Sequence, residues 1–176
     1  IAKNLGPYPV DGEGIVALDP LTLTTSSGTP DITAPQAQVY SVLVEDYGLI
    51  PAAMVLVFND ALPVCGQAYG VVGVDTGLTA FTTANHYRKL LDFSDGLEAG
   101  EDLFTALEPQ LPMEGYANFV KLPNGTRFPV SRSGYGDGGY SLFLLKDDAG
   151  APVAAYLDFV GDRNGEWIDP PPCANV

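Results

Sequence analysis

The chain has 176 residues, with 22 acidic against 8 basic side chains and a formal charge of −14. That charge repels phosphate backbones and anionic lipid, which argues against nucleic-acid and membrane partners and leaves a basic protein, a cationic ligand or a divalent cation as compatible ones. With 46% hydrophobic and 10% aromatic residues, the composition supports one domain with a buried core, and no apolar run reaches the roughly 18–20 residues of a membrane span.

Residues 1–13, rich in Pro, Gly and Asn, read as an irregular lead-in to a single globular domain over 14–160, with a Pro-rich tail over 161–176. Gly14 to Leu21 is a short apolar strand stopped at Asp19-Pro20, because proline cannot donate to a ladder. The Thr-, Ser- and Pro-rich run 22–35 is a loop. Gln38 to Glu45 alternates as a central strand carrying apolar groups on both faces, and Ala52 to Phe58 is a second strand ended by Asn59-Asp60. Tyr69 to Val74 is a third, running into Asp75-Thr76-Gly77. Thr82 or Thr83 can then cap a helix reaching Phe93, and a second short helix spans Glu101 to Leu107 before Pro109.

The last third returns to strands. Ala117 to Leu122 and Arg127 to Ser131 flank a Pro-Asn-Gly turn, and Tyr140 to Lys146 and Val153 to Val160 flank Asp147–Pro152, giving two hairpins. Between them lies SRSGYGDGGY, residues 131–140, with four glycines and one aspartate. The sum is an α+β fold, predominantly antiparallel β, as a sheet or sandwich with two short helices.

The run from Ser133 to Tyr140 resembles the S-G-x-G-D-G-x-Y signature of the bacterial family called domain of unknown function 4241. Gly14-Ile15-Val16-Ala17-Leu18-Asp19-Pro20-Leu21 is similar to that family's G-x-I-V-A-x-D-P-L, and Gly73-Val74-Asp75-Thr76-Gly77 to its G-x-D-A-G segment. The strand, Asp147–Gly150 turn and strand ending in Asp158-Phe159 follow in the family's order. Two departures stand out. Thr76 replaces a small residue, and Thr82 and Thr83 occupy the region of an acidic position. The resemblance implies a domain type and brings no activity with it.

The glycine loop has three readings. It can be backbone architecture, a ligand cradle of exposed amides built from Ser133, Tyr135, Gly136, Asp137, Gly138 and Tyr140, or a catalytic loop centred on Asp137. Asp19, Asp75, Asp137 and Asp158 all lie at strand ends and could converge on a divalent cation or divide acid and base roles. No organic cofactor is expected, since neither a Walker loop nor a dinucleotide fingerprint is present. One Asp-Thr-Gly copy is half of an aspartic protease dyad. A Ser-His-Asp triad would have to use His86, the lone histidine, and no nucleophile elbow accompanies it. Asp162 to Glu166 resembles part of a calcium loop without its ligand spacing, and Trp167 reads as a packing anchor.

Cys65 and Cys173 are compatible with a disulfide tying the tail to the body or with two free thiols. Ile1 in place of methionine fits either removal of a leader or pro-segment, which would imply export, or a trimmed sequence. The strong acidity, the sheet-rich pattern and the lack of a convincing nucleophile, base or cofactor motif favour a non-enzymatic binding domain, immunity- or inhibitor-like, that meets a basic partner. The alternatives are an aspartate-dependent, metal-assisted hydrolase centred on residues 133–140 and an exported or assembly-associated structural component.

Overall fold

Two antiparallel sheets share one core in the computed structural model, which describes residues 1–10, 14–28, 30, 32, 34–161 and 171–174. The strands are β1 (Ala2–Pro9), β2 (Ile15–Leu18), β3 (Gln36–Glu45), β4 (Leu49–Val57), β5 (Cys65–Val74), β6 (Leu78–Thr83), β7 (Ala117–Lys121), β8 (Arg127–Arg132), β9 (Gly138–Lys146) and β10 (Pro152–Asp158). One sheet runs β1-β3-β4-β10-β9-β5 and the other β2-β6-β8-β7. The expected α+β, antiparallel architecture is therefore present.

Alternation explains the six-stranded sheet. Val39 on β3, Met54 and Leu56 on β4, Ala155 and Leu157 on β10, Leu142 and Leu144 on β9, and Val72 and Val74 on β5 all point inward. They meet Ile15, Ala17, Ala80, Phe128 and Val130 from the four-stranded sheet in one cluster. The largest fully buried side chains in this core are Tyr8, Phe81 and Phe128.

The lead-in expected to be irregular forms β1 instead, pairing with β3 from Ala2↔Val42 to Pro9↔Gln36. Its prolines and Gly6 are compatible with a strand because β1 is an edge. Pro7 and Pro9 need no outward N–H there, and the chain bulges between Asn4 and Gly6, with Gly6 at φ 111°. Burial of Tyr8 supplies the driving force. Its phenol accepts from the Thr83 amide at 3.1 Å and stands 2.7 Å from His86 Nδ1, which ties β1 to the start of a helix.

That helix, α1 (Ala84–Asp95), begins as expected, with Thr83 as N-cap accepting from the His86 amide at 3.1 Å. The same threonine ends β6, a strand that the sequence reading passed over. Thr82 belongs to β6, and its buried hydroxyl has no partner among the described residues. α2 is shorter than expected, Leu103–Leu107, and is capped by Asp102. Asp102 accepts from the Thr105 amide and hydroxyl, which hold its carboxyl below the usual carboxylate range.

Cys65 and Cys173 are joined in a disulfide with Cα atoms 4.8 Å apart. The suggested calcium-like turn at 162–166 and Trp167 lie outside the described residues.

Candidate functional site

The three sequence blocks meet at one end of the sandwich. β5 ends where β9 begins, with Val74 opposite Gly138, and β10 ends beside the middle of β4, with Asp158 opposite Ala53. The glycine loop 133–137 is the crossing from the four-stranded sheet (β8) to the six-stranded one (β9). Around it lie the tip of the β3–β4 hairpin, Asp46-Tyr47-Gly48, and the turn 75–77.

Asp19 forms the centre of this corner, and its role is that of a strut. It is fully buried, just past the end of β2. Its Oδ1 accepts from the amides of Leu21 (3.0 Å) and Thr22 (3.2 Å) and from the Thr76 hydroxyl (2.8 Å). Its Oδ2 accepts from the amides of Asp75 (2.9 Å) and Thr76 (3.1 Å). Five donors on two oxygens saturate the carboxylate and lock the 75–77 turn onto the β2 end. Gly77, at φ 70°, then offers its carbonyl to the Ser133 amide at 3.0 Å, which passes the register on to the glycine loop.

The loop is closed on itself in the same way. Ser133 is buried and donates to the Gly136 carbonyl at 2.6 Å, and the Tyr140 hydroxyl donates to that carbonyl at 2.6 Å. The Tyr140 ring packs edge-on against Phe159, centroids 5.5 Å apart. Gly134, at φ 65°, is wedged so that a Cβ would lie 2.9 Å from the Pro51 carbonyl oxygen and 3.1 Å from Phe159 Cβ. Gly136, at φ 101°, has open space where its Cβ would be.

These two glycines give a graded test of the loop as architecture. Gly134→Ala is expected to cost about 2–4 kcal/mol, combining left-handed backbone strain with a clash against main chain. Gly136→Ala is expected to cost only the strain, about 1–2 kcal/mol. Chemical denaturation of the two variants checks the order.

The four candidate aspartates share the corner but do not join their carboxylates into one cluster. Asp19 is consumed as described. Asp158 is buried, and its Oδ1 accepts from the amides of Val160 (3.1 Å) and Gly161 (2.8 Å) to turn the chain after β10. Asp75 and Asp137 are exposed. Among the described residues, no three His, Cys, Asp or Glu side chains are grouped to hold a metal ion. A sizeable cavity lies elsewhere. Its volume is about 850 Å³, and it is lined by Cys65, Gln67, Lys146, Asp148 and Cys173, at the opposite end of the six-stranded sheet.

Sequence reasoning missed the hairpin tip. Tyr47 is fully exposed and sits at φ 52°, a left-handed conformation that Gly or Asn adopts at lower cost. Its neighbour Asp46 accepts a hydrogen bond from the Tyr135 hydroxyl, so the tip and the glycine loop form one surface. Tyr135 is about half exposed (47%), and Leu49 is exposed beside the tip. Glu45, Asp75 and Asp137 add negative charge to this end, and Arg132 adds a positive one. The available signal was an aromatic residue inside a turn, at Glu45-Asp46-Tyr47-Gly48.

Compared with known proteins, the chain matches no family model, no curated protein and no solved structure.

Proposed function

We propose that this chain is a binding domain of the domain of unknown function 4241 type, which engages a basic protein partner through the surface formed by Tyr47, Tyr135, Asp46, Asp75 and Asp137. The observation that carries this reading is the division of labour at the corner. The inward polar groups of the signature residues, Asp19, Ser133, Tyr140 and Asp158, are engaged in holding the backbone. What the corner presents outward is tyrosine and carboxylate. Exposed tyrosines are large, rigid anchors that lose little entropy on binding, and they are enriched at interaction hot spots. Tyr47 is strained and wholly exposed, so its ring is available for contact with a partner.

A net charge of −14 supports a cationic partner. Such a field accelerates encounter with a basic surface and decays over about 8 Å at physiological salt. The hydrolase alternative requires Asp137 to share a cleft with a second available carboxylate, and the engagement of Asp19 and Asp158 with backbone amides weighs against it.

Capture from the native source at low and at high salt tests the proposal. The wild-type chain is expected to retain a basic protein that is released as salt rises, and Tyr47→Ala/Tyr135→Ala to lose it at both salt concentrations. Equal capture by wild type and variant would remove the assignment of the surface.

A further inference from the structure

The tail from Pro171 to Ala174 lies along the outer edge of β5. The Gly66 amide donates to the Pro171 carbonyl at 2.9 Å, and the Cys173 amide donates to the Gly66 carbonyl at 3.2 Å. The result is a single parallel bridge between Gly66 and Pro172. Pro171, Pro172 and Ala174 are exposed and Cys173 is half-buried, so little apolar area is gained.

Magnitudes decide what holds this segment. Two backbone hydrogen bonds contribute about 1–3 kcal/mol net. Ordering the backbone of four residues costs about 4–8 kcal/mol. Among the described residues these two bonds alone leave the segment undocked, and the covalent link from Cys173 to Cys65, the first residue of β5, reverses the balance.

We propose that the Cys65–Cys173 disulfide is a redox latch on a strand edge. Closed, it holds the tail over the backbone of Gly66; reduced, it releases residues 171–174 and leaves that edge open. The reductant is a dithiol. One of its thiolates attacks a sulfur of the Cys65–Cys173 bond, and the departing cysteine takes up a proton. The second thiol of the reductant, losing its own proton, displaces the remaining cysteine. Two electrons and two protons pass to the protein, which ends with two thiols, and the reductant ends as a disulfide.

What opens is local. Further along β5 the edge is covered independently by the loop at 27–28. Gly28 sits so close that a Cβ would lie 2.0 Å from the Tyr69 carbonyl oxygen, and a Cβ on Gly70 would lie 2.5 Å from Ser27 Oγ. Release of the tail therefore uncovers the start of β5, where the N–H and C=O of Gly66 become available to an incoming extended strand. It also removes one wall, Pro172 to Ala174, from the 850 Å³ groove.

Amide hydrogen exchange on the full chain, with and without dithiothreitol, tests the latch. On reduction, the Gly66 and Cys173 amides are expected to exchange at least about tenfold faster. The Leu142 and Leu157 amides, inside the six-stranded sheet, should stay at least about a hundredfold slower than Gly66. Cys173→Ser without reductant should reproduce the pattern. Unchanged protection at Gly66 would overturn the proposal, because the tail would then be held without the sulfur bond. Exchange of Gly66 and the two leucines at one common rate would overturn it equally, because the disulfide would then be a staple of the whole fold.

Discussion

Asp19→Ala is expected to lower stability by about 3–5 kcal/mol, the range for stranding several buried donors at once. In a chain of this length that corresponds to a fall in Tm on the order of 10 °C. The reason is the bonding of Asp19. Four backbone amides and the Thr76 hydroxyl point at its two oxygens, from Leu21 and Thr22 next to it in the chain and from Asp75 and Thr76, which lie 56 and 57 residues away from it. Alanine removes every acceptor and leaves a space lined by donors. Asp19→Asn keeps the shape but turns an amide group towards amide donors, and is expected to cost about 2–4 kcal/mol. Thermal unfolding followed by circular dichroism checks both. An unchanged Tm for Asp19→Ala would show that the carboxylate is not a strut and would restore it as a candidate for chemistry.

Loss of the Cys65–Cys173 bond carries the second large effect. The bond closes a loop with a sequence separation of 108 residues. The loop-closure treatment assigns such a cross-link about 4–5 kcal/mol through the restricted unfolded chain. Cys65→Ser/Cys173→Ser is therefore expected to lower the urea midpoint by about 2 M, taking a slope of about 2 kcal/mol/M. The fold should persist at 25 °C, because total stabilities of about 5–15 kcal/mol exceed this loss and the described tail residues 171–174 are not part of the shared core. A midpoint unchanged by the substitution would mean that the two cysteines do not constrain the unfolded chain. This effect on global unfolding is separate from the local opening at Gly66, which exchange measures in the native state.

The legible parts of the fold were those governed by local pattern. β3 announces itself by alternation, and β9 and β10 by apolar runs on either side of the Asp147–Gly150 turn. β1 was hidden because Pro7 and Pro9 signal a break unless the strand is known to be an edge, which only its pairing with β3 reveals. β6 was hidden because Thr83 is at once its last residue and the N-cap of α1, so no turn marks the boundary. The site was legible to the same degree. Its glycine loop was placed correctly between two hairpins, whereas the convergence of Asp19 with the 75–77 turn depends on long-range docking. Asp46 and Tyr47 fell in a stretch that reads as an ordinary hairpin turn, and their connection to Tyr135 spans 89 residues.

The most direct test of the central claim is the affinity of the captured basic partner for Tyr47→Ala/Tyr135→Ala beside a control, Leu62→Ala, whose side chain is exposed in the segment between β4 and β5 at the opposite end of the sheet. Truncation of hot-spot tyrosines costs about 2 kcal/mol or more, so the double variant is expected to bind at least about 30-fold more weakly. Leu62→Ala should bind within about twofold of wild type. A loss of affinity in Leu62→Ala with none in the tyrosine variant would contradict the account and move the binding face to the other end of the molecule.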